Sequence, residues 1–432
     1  MRRNAECFPQ RPAVICGGTA ESWSGLWARV RAESAALSAA GVRPGQVVPF
    51  RALQSADFLV RYFAIHLAGA VALPLERDIP DEVFASIGDT FKGFTAPPGT
   101  ADILYTTGTT GRSKGVMISS DTIIADAENL IGAMGFGQDL TFIIAGPLNH
   151  IGSLSKIYPV VVNGGTLNVL EGMKDLQAFF AAVDSAPGQV ATFLVPSAIR
   201  MLLSLARKDL AGRQGKFAFI ETGAAPMAHS DMLDLCAVLP STRLYNTYAS
   251  TETGICCTYD YNDGECLAGC LGRPMCHSSV FITPDGKVAC RGRTLMTGYA
   301  ADAALTAFVL REGAVYTADN GFIDDAGRLH LLGRDDDVIN IGGFKVAPSE
   351  VENAALGHPS VKDCICILES GGPLGDVLAL LVVPVEGAPF DKRALAAYLS
   401  QKLERYKVPV RYKTVTSVAR TFNGKLDRKS YR

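Results

Sequence analysis

The 432 residues carry little net charge and no long uninterrupted hydrophobic run. A formal net charge of −2 provides no overall attraction to a polyanion, so a nucleic-acid-binding protein is disfavoured. The most apolar stretch, residues 58–75, contains Arg61 and His66 and ends in a proline-containing segment. We therefore expect a buried helix followed by a strand there, and no membrane span.

Signals for export and for a disulfide framework are also lacking. The segment Met1–Pro9 has none of the apolar core that a secretory signal needs. The eleven cysteines are odd in number and follow no regular spacing. Reduced thiols and a cytoplasmic location are therefore the expectation.

The most distinctive stretch is Leu104–Val116, where threonines, glycines and a lysine follow an apolar lead-in. Its polar and flexible positions are Thr106, Thr107, Gly108, Thr109, Thr110, Gly111, Lys114 and Gly115. Glycine lets the backbone approach a ligand closely, and threonine hydroxyls and a lysine ammonium are donors for phosphate oxygens. The stretch is predicted to hold a polyphosphate. It is not a Walker A loop, because Lys114 is followed by Gly115 and not by Ser or Thr.

The order of apolar segments predicts an α/β fold. Strand-like and helix-like segments alternate through roughly the first 240 residues, which is typical of a doubly wound sheet. From 280 to 333 the pattern changes to short strands with turns, so a small antiparallel β subdomain is expected. About a hundred further residues have their own βα pattern. We expect a large N-terminal domain, residues 1–333, and a small α+β C-terminal domain, residues 334–432. Residues 76–102 are expected to be mostly connection.

Five stretches, taken in order, resemble the adenylate-forming superfamily of acyl- and aryl-CoA synthetases, non-ribosomal adenylation domains and luciferases. They are 104–116, Gly223–Pro226, Tyr248–Glu252, Tyr316–Asp319 with Gly333 and Arg334, and Asn423–Lys425. The resemblance implies a large domain, a small mobile C-terminal domain and a site between them. It also implies a reaction in which a carboxylic acid attacks ATP, pyrophosphate leaves and an acyl-AMP forms.

The resemblance assigns the residues that hold ATP. The threonine- and glycine-rich loop would hold the β- and γ-phosphates, Glu252 would bind Mg²⁺, and Thr251 would contact the α-phosphate. The remaining nucleotide contacts are Asp319 and Arg334 at the ribose, and Tyr248, Asn246, Gly223, Ala224 and Ala225 around the adenine. A carboxylate suits the ribose diol because it accepts from both hydroxyls.

The C-terminal domain is implied to serve both half-reactions. Lys425 resembles the catalytic lysine that bridges the acyl carboxylate and the α-phosphate. Asp336 matches the hinge about which the small domain rotates. That rotation would bring Gly342 and Gly343 to the channel for the pantetheine arm, where bare backbone leaves room for it.

A few residues restrict which acid the protein can bind. His150 resembles the gate of acyl- and aryl-CoA ligases and is counted with both the catalytic and the substrate-binding residues. Ala249 and Cys256 are expected to line an apolar pocket that favours a small aryl or short-to-medium acyl acid. No aspartate occurs between Asp139 and Asp175, so an amino-acid substrate is disfavoured.

The leading hypothesis is an AMP-forming acid–CoA ligase with ATP, Mg²⁺ and CoA as its ligands. The alternative is an adenylation enzyme that loads the acid onto the phosphopantetheine of an acyl carrier protein. The acid, the acceptor thiol and the oligomeric state stay open. The N-terminal region is shorter than is typical of the superfamily, but the predicted ATP and acyl motifs lie outside the shortened part.

Overall fold

A computed structural model describes residues 1–106, 114–334, 339–341, 344–370, 376–387, 390–421 and 426–431. The helices are α1 (Arg2–Cys7), α2 (Trp23–Ala39), α3 (Ala56–Leu67), α4 (Asp81–Thr90), α5 (Ser120–Met134), α6 (Ile151–Asn163), α7 (Leu176–Ser185), α8 (Pro196–Leu205), α9 (Arg207–Ala211), α10 (His229–Val238), α11 (Ala303–Val309), α12 (Pro348–Leu356) and α13 (Lys392–Ser400). Short 3₁₀ helices cover Gln214–Lys216, Arg405–Lys407 and Arg428–Tyr431.

The strands belong to four sheets. They are β1 (Pro12–Cys16), β2 (Thr19–Ser22), β3 (Val47–Arg51), β4 (Val71–Leu75), β5 (Thr100–Thr106), β6 (Lys114–Ser119), β7 (Thr141–Ile144), β8 (Thr166–Val169), β9 (Val190–Leu194), β10 (Phe217–Thr222), β11 (Arg243–Ser250), β12 (Gly254–Asp260), β13 (Cys270–Pro274), β14 (Ser278–Ile282), β15 (Lys287–Gly292), β16 (Gly298–Tyr299), β17 (Leu310–Arg311), β18 (Ala314–Ile323), β19 (Leu329–Arg334), β20 (Ile339–Ile341), β21 (Phe344–Val346), β22 (Val361–Ser370), β23 (Asp376–Pro384) and β24 (Arg411–Thr414).

The largest sheet joins a parallel half to an antiparallel half. Strands β1, β8, β7, β9, β10 and β11 are parallel neighbours, and β12 pairs antiparallel with β11. Neighbouring residues of the parallel strands enter different cores: Phe219 packs in one hydrophobic cluster and Ile220 in another. A strand covered on both faces needs apolar residues at consecutive positions, which is why these segments are nearly continuous in hydrophobic residues. The predicted doubly wound sheet and the antiparallel subdomain are both confirmed.

A second sheet brings together segments that are far apart in the chain. Its order is β16-β6-β5-β4-β3, so Tyr299 in β16 pairs with Val116 in β6. Helix α5 begins directly after β6, where the Ser119 side chain accepts from the Thr122 N–H at 3.0 Å. It ends at Gly135, whose φ of 72° is one that glycine adopts at low cost. This sheet therefore fixes the end of the threonine- and glycine-rich loop next to Tyr299.

The C-terminal residues form their own layers. Strands β22, β23 and β24 make a three-stranded sheet, and β20 pairs with β21. Helices α12 and α13 cover the larger of these sheets, with Val351 and Leu395 in its hydrophobic cluster. The predicted small α+β C-terminal unit is thereby confirmed as a fold, while the boundary at residue 334 stays a prediction.

Two further predictions concern connections and membranes. Residues 76–102 were expected to be mostly connection; α4 occupies ten of them and β5 begins at Thr100, so a helix that the sequence did not predict interrupts the connection. Residues 58–75 form most of α3 and then β4, as predicted from the sequence. None of the helices in the described part of the chain is both long and apolar enough to cross a bilayer.

Candidate active site

Tyr299 contacts both the lysine of the threonine- and glycine-rich loop and the predicted magnesium ligand. The Tyr299 hydroxyl donates to Glu252 Oε1 at 2.9 Å, and Lys114 Nζ is 5.6 Å from the centroid of the same tyrosine ring. Burial, followed by the charge of Glu252, raises the pKa of Tyr299 well above its usual range, so the hydroxyl stays protonated and keeps donating. A cation and a carboxylate that the sequence placed far apart therefore flank one aromatic ring.

Side chains of α5 form hydrogen bonds with the backbone next to the turn that carries Glu252. Asp126 Oδ1 accepts from the Ile255 N–H at 2.8 Å, and Asn129 Nδ2 donates to the Ile255 carbonyl at 2.9 Å. Gly254 has a φ of 66°, and a Cβ added there would lie 2.4 Å from the carbonyl oxygen of Thr294. Only glycine fits this close approach, so the orientation of Glu252 depends on the packing of α5 against β12.

The two residues predicted to bind ribose are in contact with each other and with the predicted adenine residue. Asp319 Oδ2 accepts from the Tyr248 hydroxyl at 2.7 Å, and Arg334 Nε is 3.2 Å from Asp319 Oδ1. The residues lie on β11, β18 and β19, and Asp319 pairs with Arg334 across two antiparallel strands. Burial and the nearby Asp319 raise the pKa of Tyr248, which keeps its hydroxyl a donor.

The glycine–alanine loop after β10 is strained at its centre. Ala224 has a φ of 65°, a left-handed conformation that is uncommon for residues other than glycine. The preceding Gly223 is buried, and a Cβ added there would lie 2.9 Å from the carbonyl oxygen of Thr247. Asn246 lies beside Thr222 in the parallel register and donates from Nδ2 to the Cys270 carbonyl at 3.2 Å. Its Oδ1 is an acceptor of the kind that an exocyclic amino group requires.

The three predicted acyl residues all lie within the described part of the chain. His150 precedes α6 as its N-cap residue, with Nε2 3.9 Å from Glu76 Oε1. Ala249 is half-buried against the main hydrophobic cluster. Cys256 is fully buried in that cluster, and its thiol donates to the Thr253 carbonyl at 3.3 Å. Their contact with an acid stays a prediction.

Two models of known protein families match most of the chain. The model described as AMP-binding enzyme matches residues 1–89 and 94–300, and the model described as AMP-binding enzyme C-terminal domain matches residues 350–425. The chain belongs to the AMP-binding enzyme family. The resemblance inferred from the five motifs is confirmed.

Curated relatives and solved structures agree with this family. A feruloyl-CoA synthase of Amycolatopsis sp. is 28% identical, over 98% of this chain and 96% of its own length. An indoleacetate–CoA ligase of Aromatoleum aromaticum is 26% identical, over 98% of this chain and 95% of its own. The crystal structure of ATP-bound MatB from Rhodopseudomonas palustris superposes with a TM-score of 0.87 at 24% identity, covering 99% of this chain and 98% of that one.

The carboxylate of Glu252 is suited to bind Mg²⁺. Magnesium beside a nucleotide is usually held by one or two protein carboxylates, by substrate phosphates and by water. Glu252 supplies such a carboxylate, hydrogen-bonded to Tyr299, and the described residues contain no group of three or more potential ligands. A single glutamate therefore fits an ion that arrives with ATP.

Several predicted site residues cannot be placed. Thr107, Gly108, Thr109, Thr110, Gly111, Asp336, Gly342, Gly343 and Lys425 lie outside the described residues. Thr106 ends β5, and Thr251 is half-buried in the turn before β12. Their assigned roles stay predictions.

Sequence reasoning missed the residues that support the site. Tyr299, Asp126 and Asn129 belong to none of the five motifs, and each acts on a segment more than 40 residues away. The structure shows Asp126 and Asn129 to be buried within α5, where polar groups need partners, and no local pattern in the sequence indicates this burial.

Proposed function

We propose that this protein activates a small aryl or short-to-medium-chain carboxylic acid with ATP and transfers the acyl group to CoA. The observation that carries the proposal is the arrangement of two charged sites: Lys114 and Glu252 around Tyr299, and Asp319 between Tyr248 and Arg334. The curated relatives named above are CoA ligases over nearly the full length of both chains. The chain is therefore an AMP-forming acid–CoA ligase.

In the first half-reaction a carboxylate oxygen of the acid attacks the α-phosphorus of ATP, and pyrophosphate leaves. Both reactants are anions, so the protein lowers the barrier mainly by positioning them and neutralising charge. Lys114 would offset charge on the leaving pyrophosphate, and Mg²⁺ bound at Glu252 would neutralise phosphate oxygens. Asp319 would accept from the ribose hydroxyls, and Lys425 would stabilise charge between the carboxylate and the phosphate.

In the second half-reaction the sulfur of CoA attacks the acyl carbon, and AMP leaves. Asp336 is assigned as the hinge that rotates the C-terminal domain between the two steps. Gly342 and Gly343 would then border the pantetheine arm, because residues without side chains leave room for it. Such a channel would equally take the phosphopantetheine of a carrier protein, which is the alternative acceptor.

The preference for an aryl acid rests on the acyl residues and on the relatives. His150 and the half-buried Ala249 are the proposed lining, and the segment between Asp139 and Asp175 contains no aspartate that could pair with an amino group. The named relatives act on feruloyl and indoleacetate groups, both of which contain aromatic rings. A flat apolar acid gains the most from such a pocket, because burial of apolar surface drives its binding.

A panel of carboxylic acids tests the proposal. Carboxylate-dependent exchange of pyrophosphate into ATP is measured for each acid, and product release is then measured with CoA and with a holo-carrier protein. An aryl acid should support exchange, and CoA alone should release an acyl-CoA. Lys425→Ala should abolish exchange. Release that requires the holo-carrier would support the alternative acceptor, and a panel without any exchange would reject the enzyme assignment.

A further inference from the structure

Two residues that follow strands of different sheets face each other at the start of α6. His150 lies between β7 and α6, and Glu76 directly follows β4. The distance from Glu76 Oε1 to His150 Nε2 is 3.9 Å. Both β4 and β7 have parallel neighbours, and ligands of open α/β sheets bind outside the carboxyl ends of parallel strands. The pair therefore lies where a ligand is expected.

A single aromatic ring separates the start of α6 from the loop assigned to the adenine. A Cβ added at Gly152, two residues after His150, would lie 3.0 Å from Phe193 Cε1. A Cβ added at Gly223 would lie 3.5 Å from Cε2 of the same ring. The segment of His150 is therefore close to the nucleotide that would carry the acyl group.

The imidazole of His150 presents one of its two nitrogens to Glu76. Nε2 has no exposed surface although 21% of the side chain is exposed, so the exposed surface belongs to other atoms. A carboxylate only accepts hydrogen bonds, and it therefore favours the tautomer in which Nε2 carries the proton. Nδ1 is the unprotonated nitrogen in that tautomer, and it can take a proton from a ligand.

Glu76 can turn towards His150 because the cations around it have other partners. Arg77 lies 2.7 Å from Glu171, and no lysine or arginine that the structure describes forms an ion pair with Glu76. Lys156, the charged residue of α6, is buried 2.8 Å from Glu221. A separation of 3.9 Å is too long for a hydrogen bond, but catalytic hydrogen bonds often shorten when the substrate binds. The Glu76 side chain is 45% exposed, so it has room to move.

We propose that His150 is the base that takes the proton of the CoA thiol in the second half-reaction, and that Glu76 is the positioning residue that orients it. The inference rests on the proposed function. The S–H bond breaks and its proton passes to Nδ1, while the sulfur forms a bond to the acyl carbon. The bond from that carbon to the phosphate oxygen breaks, and AMP leaves with the electron pair. The imidazolium then returns its proton to water. A base is required because the thiolate, and not the thiol, is the nucleophile.

The pH dependence of thioester formation distinguishes a base from a structural residue. The substrates are CoA and the synthetic acyl-AMP of the acid that supports the fastest pyrophosphate exchange. At pH 7, His150→Ala should slow this step by about 100-fold, as expected for loss of a general base. The deficit should shrink to below about 10-fold at about pH 9, because the thiol then ionises without a base.

Glu76→Gln tests the positioning role at a side chain that is nearly half exposed, so the variant should fold even if His150→Ala is unstable. Thioester formation at pH 7 should fall by about 5-fold, and this deficit should also disappear as the pH rises. Glu171→Gln is the matched control, because Glu171 is an exposed carboxylate after β8 that pairs with Arg77. It should keep the wild-type rate and pH profile.

The possible failures are distinguishable. A deficit in His150→Ala that stays constant from pH 7 to pH 9 would show a structural role and overturn the inference. Wild-type rates in Glu76→Gln at every pH would overturn the part given to Glu76. In both cases acid activation by the wild-type protein would be intact, whereas the absence of pyrophosphate exchange with every acid would reject the proposed function.

Discussion

At the scale of single residues, Tyr299 connects two motifs that local sequence patterns treat separately. Its hydroxyl donates to Glu252, and its ring lies beside Lys114. The phosphate role of Lys114 was predicted from the composition of its loop, and the magnesium role of Glu252 from the family resemblance. Tyr299 could not be predicted, since its position depends on the pairing of β16 with β6.

Tyr299→Phe should slow adenylation more than it destabilises the fold. Without the hydroxyl, Glu252 loses the hydrogen bond that orients it, so the Mg²⁺ concentration for half-maximal activity should rise and kcat for pyrophosphate exchange should fall by about 10-fold. Pyrophosphate exchange over a titration of Mg²⁺ measures both effects. Tyr259→Phe is the control, because that hydroxyl bonds the Glu265 carbonyl outside the site. Equal effects of the two variants would contradict the assigned role.

Lys114→Ala should weaken adenylation but spare thioester formation from preformed acyl-AMP. The assigned role of Lys114 is to offset the charge of pyrophosphate, which is absent from the second half-reaction. Pyrophosphate exchange and conversion of synthetic acyl-AMP to acyl-CoA are measured separately. The exposed Lys92, which pairs with Asp89, provides the control variant Lys92→Ala. Equal loss in both half-reactions would count against the role given to Lys114.

At the scale of secondary-structure elements, α5 determines how the Glu252 turn is held. Asp126 is fully buried, and its carboxylate accepts from the Ile255 N–H. Burial raises the pKa of Asp126 from 3.8 to about 7, although the Ile255 N–H and the charge of Lys156 act in the opposite direction. Asp126 therefore supports the site, but its burial lowers the free energy of unfolding at pH values where its carboxyl group is ionised.

The free energy of unfolding should fall as pH rises from about 4 to about 7. In this window the folded protein keeps the Asp126 proton, whereas the unfolded chain releases it. Rising pH therefore favours the unfolded chain, until pH reaches the pKa of Asp126 in the folded protein. The cost above pH 7 is at most about 4 kcal/mol. Asp126→Asn should remove it, so the Tm difference between variant and wild type should be larger at pH 8 than at pH 5.

Thermal unfolding at several pH values measures this difference. Asp121→Asn, an exposed position on the same helix, is the control and should show no such trend. A Tm difference for Asp126→Asn that is constant from pH 5 to pH 8 would contradict the expected titration.

Helix α4 shows why one element escaped prediction. None of its residues is fully buried, and only Phe84 and Ile87 pack against a hydrophobic cluster. Its apolar residues fall within the five positions from 83 to 87, which are too few to establish a helical period. Helix α5, in contrast, has a local signal at each end, a serine cap and a following glycine.

At the scale of the whole molecule, one arginine links the two parts of the chain. Arg200 on α8 lies 3.1 Å from Asp363 on β22 and 2.7 Å from Asp231 on α10. Asp363 also pairs with Arg420 at 2.7 Å. These side chains are mostly buried, so the contact between α8 and β22 stabilises the present arrangement of the C-terminal unit more than an exposed pair would.

Asp363→Asn should change the ratio of the two half-reactions. If the C-terminal unit rotates between them, weakening this contact by about 1 kcal/mol favours the other arrangement. The half-reaction that uses the present arrangement should slow and the other should quicken, with a combined change of about 5-fold in their ratio. Separate assays of acyl-AMP formation and of thioester formation from acyl-AMP measure it.

Asp231→Asn is the matched control, because it removes a partner of the same arginine within the large domain. Its ratio of half-reaction rates should equal that of the wild-type protein. A proportional change in both half-reactions of Asp363→Asn would contradict a role of the Arg200–Asp363 contact in domain rotation.

The sequence by itself determined the α/β fold class, the family and the chain segments that carry the predicted nucleotide residues. These follow from local hydrophobic patterns and from motifs in which the chemistry restricts neighbouring positions. Only the tertiary structure decided that Tyr299 holds Glu252, that Lys156 and Glu221 form a buried pair, and that Arg200 reaches Asp363. Such contacts join distant segments, and they depend on strand order and packing, which no local pattern encodes.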